Sequence, residues 1–254
     1  MNIGNAFSYI TADPDWLKKV GIGTIVGFIG SLVLGIGSVI LLGYQIGIVR
    51  AKLRGQQPEL LEWDNWGGFI KDGLFAILIV LGYAAPIIVL VICMQVLSFG
   101  IVAAGGALEN PDVAGMLGLV SGLISLCFGL LIFVYALVFS LLLPAALARF
   151  ADTESIGGAF AFGEVFALVR SNFVGWIIAG WLFGFITSIL TSVGSIACGI
   201  GAFAGMTFGY MAQGDAIAQA YSAAGGMQGN GGGNSAPPAA PSGGYDPNAT
   251  MVDR

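Results

Sequence analysis

Four stretches of this chain, 20–49, 73–108, 113–148 and 171–214, contain no Asp, Glu, Lys or Arg. The charges crowd into the short connectors between them. A helix needs roughly 20 apolar residues to cross a hydrocarbon core of about 30 Å. The runs, 30, 36, 36 and 44 residues long, are each sufficient for one crossing, and the last for two. The pattern predicts an all-α polytopic transmembrane helix bundle over 1–221, with about five to six membrane segments at 20–49, 73–108, 113–148, 171–192 and 195–214.

The basic residues set the expected direction, because short cytoplasmic loops collect Lys and Arg. Lys18, Lys19, Arg50, Lys52, Arg54, Lys71, Arg149 and Arg170 lie in connectors, whereas the turn Glu109-Asn110-Pro111-Asp112 is acidic. That turn is therefore placed outside and the C-terminal tail inside. The segment 20–49 is ambiguous. Crossing once, it strands Lys18 and Lys19 outside; turning back near 35–38, it keeps every basic residue inside. Each half then reaches only about 22 Å, so either two short tilted helices thin the bilayer or a re-entrant hairpin packs on its neighbours. The charge distribution favours the turn, with a cytoplasmic N-terminus.

Two connectors read as interfacial amphipathic helices, over about 59–72 and 155–170, with Leu60, Leu61, Trp63, Trp66, Phe69 and Ile70 at helical spacing in the first. Trp16, Trp63 and Trp66 are the candidate interfacial anchors. Both connectors run 21 positions between basic residues, Arg50 to Lys71 and Arg149 to Arg170, which suggests a weak parallel repeat. From 222 to 254 the chain is rich in Gly, Pro, Ser and Ala, the composition of a disordered tail.

Composition narrows the chemistry. With 57% hydrophobic and 9% charged residues, against about 25% charged in soluble domains, the chain cannot cover a solvated surface. Its net charge of −5 argues against a nucleic-acid partner. The first residues lack the basic n-region of a signal peptide. There is no histidine, so the commonest general base and metal ligand is missing. Cys93, Cys127 and Cys198 show no paired spacing and read as small buried hydrophobes. No ionisable residue lies deep in a span, unlike a proton relay or ion-coupled carrier. No catalytic residue, cofactor or metal site is predicted. Glu164 reads as a headgroup-level carboxylate and Asp215 as the end of the last span.

The spans do carry small residues in register: Gly115, Gly118, Gly122, Ser125 and Gly129, and further on Gly201, Gly205 and Gly209. Such stripes let helices approach closely in lipid. They are read as helix-packing positions, within the bundle or, for the Gly115 stripe, toward a partner helix.

The stretches "DPDWLKKVGIG", "LLGYQIGIVRAKLRG", "EWDNWGGFIKDGL" and "GYMAQGDAIAQAY" occur in the same order in a family of prokaryotic membrane proteins, catalogued as domain of unknown function number 4013, which this chain resembles from about 13 to 221. The resemblance implies a prokaryotic cell membrane and a bundle of five to six segments, and no activity. The sequence thus points to a non-enzymatic integral membrane protein, a scaffold or accessory subunit that organises partners or bilayer at the cytoplasmic face. Its expected partners are the lipid bilayer and a protein met through the helix stripes or the C-terminal tail, with no nucleic acid. The alternative is a transporter or channel for a neutral or apolar small solute.

Overall fold

The computed structural model describes residues 3–33, 35–55, 60–106, 111–196 and 199–226. Among them there is no strand. A short α1 (Ile3–Ala12) leads into α2 (Trp16–Leu32) and α3 (Ile36–Leu53), which form a hairpin. The long α4 (Trp66–Gly106) and α5 (Pro111–Thr153) follow. Two short pieces, α6 (Ile156–Ala159) and α7 (Phe162–Ser171), lead to a rod made of α8 (Phe173–Ile177), a π-turn (Ile178–Leu182) and α9 (Phe183–Ile196). The final helix, α10 (Ile200–Ala223), packs back on α9.

The segments Ile36–Leu53, Trp66–Ile101, Gly115–Thr153 and Phe173–Ile196 are long and apolar enough to cross a membrane. The fold is an all-α polytopic membrane bundle. Its buried core lies at one end, here called the base, where the N-terminal segment, both basic connectors and the C-terminal end of α10 converge. Tyr44, Trp63, Phe150, Trp176, Met211 and Tyr221 pack there with little or no exposure.

The chain does turn back between α2 and α3. Gly35 adopts φ +77°, a left-handed conformation open to glycine at no steric cost. Close approach of the two arms also requires glycine, since a Cβ on Gly30 would strike the backbone of Gly37. The second hairpin does not break at Ser192–Ser195. Helix α9 continues to Ile196, and Gly199, with φ +76°, precedes α10. Nor does Asp215 end a span: it lies within α10, which runs on to Ala223.

The connectors also differ from their sequence reading. Residues 60–65 are not helical, and the helix that opens at Trp66 runs straight into the long α4. A separate interfacial helix over 59–72 is therefore absent, because Leu60, Trp63 and Phe69 find partners in the core instead of lipid. The second connector holds two short helices rather than one. Its longer piece, α7, buries Val165, Leu168 and Val169 and exposes Phe162 and Phe166. Helix α1 has no counterpart in the sequence reading. Cys93 and Cys127 are exposed, not buried, on helices whose outer faces are apolar. Cys198 and the tail from 227 onward lie outside the described residues.

Candidate functional site

The base is built from ion pairs that tie distant stretches together. The turn between α1 and α2 places Asp13, whose Oδ1 accepts the amide of Asp15 at 2.8 Å. One turn into α2, the Lys19 ammonium donates to Asp13 Oδ2 at 2.9 Å and to the Leu60 carbonyl at 2.8 Å. The amide of Leu60 donates back to Asp13 Oδ2 at 3.0 Å. Glu62 closes on the same ammonium at 2.7 Å, and the Trp63 indole donates to the Lys19 carbonyl at 2.9 Å. Tyr44 stacks on Trp63 with ring centroids 4.2 Å apart and donates to the Leu61 carbonyl. Burial alone would raise the Asp13 carboxyl. The Lys19 ammonium and the amides of Asp15 and Leu60 outweigh it and hold the group below its ordinary 3.8. A buried charge with this many partners is the arrangement in which such a group is tolerated.

A second cluster joins α3 to α4 and to the end of α5. Arg50 pairs with Asp72 at 2.5 Å and approaches Glu154 at 3.6 Å. Arg54 also pairs with Glu154. In a third, Lys52 meets Asp215 at 2.9 Å and lies 4.0 Å from the centroid of the Tyr9 ring, an ammonium over an aromatic face. Gln219 donates to the other Asp215 oxygen at 2.6 Å. Burial first, and Asp215 second, push the Tyr9 phenol well above its ordinary value; the neutral hydroxyl donates to the Met211 carbonyl at 2.8 Å. Tyr9, Asp13, Lys52, Asp215 and Gln219 line a cleft of about 590 Å³. A fourth cluster pairs Arg149 with Glu164, and Tyr221 with Asp152 at 2.7 Å.

These contacts consume most of the chemistry available. Each buried carboxylate accepts from a cation, an amide or a side-chain donor. Among the described residues, no group of three His, Cys, Asp or Glu side chains is placed to hold a metal. The arrangement braces the helices against one another.

The sequence-predicted positions divide sharply. A Cβ on Gly201 would strike Gly194, one on Gly205 would strike Leu190, and one on Gly209 would strike Thr187, so these three hold α10 against α9. Gly115, Gly118, Gly122 and Gly129 have no atom within 4 Å of such a Cβ. Together with the partly buried Ser125, they lie on a stretch of α5 whose side chains are mostly exposed. Trp16 is half-buried against the core, Trp63 is buried in it, and Trp66 is 40% exposed. Trp63 is thus a core residue and not an interfacial anchor, because its indole N–H has a carbonyl to bind inside the base.

Sequence reasoning missed a motif that positions both long rods. Asn65 Oδ1 accepts the amide of Gly68 at 3.1 Å, and Asn172 Oδ1 accepts that of Gly175 at 3.3 Å. Four residues after each Asn, Phe69 and Trp176 are buried. Eight residues after it, Gly73 abuts the Val39 carbonyl on α3, and Gly180 abuts the Ser140 carbonyl on α5. The shared pattern is Asn-aromatic-x-Gly-aromatic-Ile-x-x-Gly, present as "NWGGFIKDG" and "NFVGWIIAG". The repeat thus aligns at the helix entrances and not between the basic residues. Its second copy has a longer connector, which contains α6 and α7.

The family described as "Protein of unknown function (DUF4013)" matches residues 26–200. No curated protein and no solved structure matches the chain.

Proposed function

The chain belongs to the DUF4013 family, and on that footing we propose that it is a non-enzymatic integral membrane protein, a scaffold or accessory subunit of the prokaryotic cell membrane. The observation that carries this reading is the contrast between the two ends of the molecule. At the base, the charged side chains that are not exposed are paired or hydrogen-bonded. Away from it, an 18-residue apolar window within Gly115–Thr153 has none of its residues buried in the chain. A braced base with a bare helical hairpin is the form expected of a part that presents helices to a neighbour. The basic residues gather at the base, so the base and the tail face the cytoplasm by the positive-inside rule.

A π-turn gives some support to the alternative, transport of a neutral solute. Gln45 donates to Gln213 at 3.1 Å, and Gln213 donates to the Ala179 carbonyl inside the π-turn at 3.3 Å. Such turns often mark functional sites.

Gentle purification from native membranes, with particle mass and composition determined, separates the two readings. A stoichiometric second protein supports the scaffold. A lone chain that passes solutes across reconstituted liposomes supports the transporter.

A further inference from the structure

The α2/α3 and α9/α10 hairpins differ from α4/α5 in reach and in what stands at their tips. The charges Lys19, Arg50, Lys52 and Asp215 are all held in base ion pairs. From Lys19 to the end of α2, and from Arg50 back to the start of α3, the helices rise about 20 Å. From Asp215 back to the start of α10 the rise is about 22 Å. A hydrocarbon core is about 30 Å thick. Helix α10 runs antiparallel to α2, with Gly23 against Thr207 and Gly27 against Phe203, so the two tips end at the same depth. In contrast, α4 extends about 50 Å beyond Asp72, further than any ordinary tilt could hide in one core.

The tips point the same way. The first reads Leu32-Val33-Leu34-Gly35-Ile36 and the second Ile196-Ala197-Cys198-Gly199-Ile200, without a charge. Leu32 and Ile196 are 73% and 85% exposed, a poor arrangement in water. The α4/α5 turn carries Glu109, Asn110 and Asp112, a poor arrangement in lipid. Irregular backbone at membrane depth needs its polar groups satisfied internally, and described parts of both tips do this. The Ile36 amide donates to Val33 at 3.1 Å and the Ser38 amide to Gly35 at 3.0 Å; the Gly199 amide donates to Ser195 at 3.2 Å. The hydroxyls of Ser31 and Ser195 are spent on carbonyls of their own helices.

We infer that α2/α3 and α9/α10 are re-entrant hairpins that enter from the base side and end inside the bilayer, and that α4/α5 alone crosses it. The ligand of their bare tips is the acyl-chain layer. Six helices then occupy the leaflet next to the base and two the other, a wedge that fits a leaflet curved convexly toward the base. The inference rests on the chain being a membrane protein and not on its having a protein partner.

The test is labelling of single cysteines in intact membrane vesicles by a membrane-impermeant maleimide, applied to each face in turn, after Cys93, Cys127 and Cys198 are replaced by Ala. Lys18→Cys should label from the base side only, and Asp112→Cys from the opposite side only. Leu32→Cys and Ile196→Cys should label from neither side and become fully reactive when detergent dissolves the bilayer. Val33→Cys and Val193→Cys repeat the measurement should either variant fail to insert. Labelling of a tip from the Asp112 side would overturn the inference in favour of full crossings, and labelling from the base side would overturn it in favour of a water-filled cleft. If Lys18 and Asp112 label from the same face, α4/α5 does not cross and the membrane placement itself fails.

Discussion

Lys19 and Asp13 form a buried ion pair at 2.9 Å across the turn between α1 and α2. The pair also grips Leu60, so two stretches separated by more than forty positions share one knot. Both side chains are almost wholly removed from solvent. Breaking such a pair by removing one partner costs about 3–5 kcal/mol, whereas an apolar replacement of both is often tolerated. Lys19→Ala should therefore lower the unfolding temperature in detergent more than the double change Asp13→Leu with Lys19→Met. Equal losses in the two proteins would mean that packing, and not the charge, holds the knot.

The same carboxylate sets an acid limit. Its proton affinity in the fold is lowered below 3.8, so it favours the folded state fully above that value. The contribution is lost as pH falls through the lower folded value. The gap in melting temperature between the wild-type protein and Asp13→Asn should be steady near neutrality and should close below about pH 4. A gap that stays constant through that window would assign the stabilisation to another group.

Asn65 and Asn172 make equivalent caps, and Asn172 also donates to the Ala220 carbonyl at 3.0 Å, so its loss should cost the more. Replacing a capping Asn by Ala costs about 0.5–2 kcal/mol. Asn65→Ala and Asn172→Ala should each fall in that range by denaturant unfolding, and the double variant should show their sum, since the two sites share no partner. A large loss at one site and none at the other would argue against a common unit.

That motif shows what the sequence made legible and what it did not. The hairpin at Gly35 could be read from charge placement, because Lys18 and Lys19 would otherwise face the wrong way. The long hairpin could be read from two uncharged runs around an acidic turn. Trp63 could not be placed, because an indole suits a lipid interface and a buried pocket equally well; only the Lys19 carbonyl waiting for its N–H decides. Asp215 looked like a span terminator because its partner, Lys52, is brought to it by α3 folding back. Helix α1 was recoverable in principle, since Ala6, Tyr9 and Ile10 are spaced as one helical face and are all buried. The family resemblance rested on four stretches, and Asp13, Lys52, Trp63 and Asp215, one from each, all lie at the base.

Gly43 separates internal from external packing. A Cβ there would collide with the Phe69 backbone, and overpacking of this kind costs about 1–3 kcal/mol or more. Gly43→Ala should lower thermal stability by several degrees, although the same change in an open helix would raise it slightly. An unchanged or raised melting temperature would show that α3 and α4 can separate without cost.

On the proposed reading, the bare face of α5 serves a neighbour and not the fold. Gly118 and Gly122 have nothing of the chain within 4 Å of an added Cβ, so Gly118→Leu with Gly122→Leu should leave yield unchanged and the melting temperature equal or slightly raised. The decisive measurement is the mass and composition of the particle gently extracted from native membranes, for the wild-type protein and this double variant. A stoichiometric complex is expected for the former and its loss in the latter, with stability in the latter no lower. An identical particle from both proteins, whether a complex or a lone chain, would rule out that role for the α5 face.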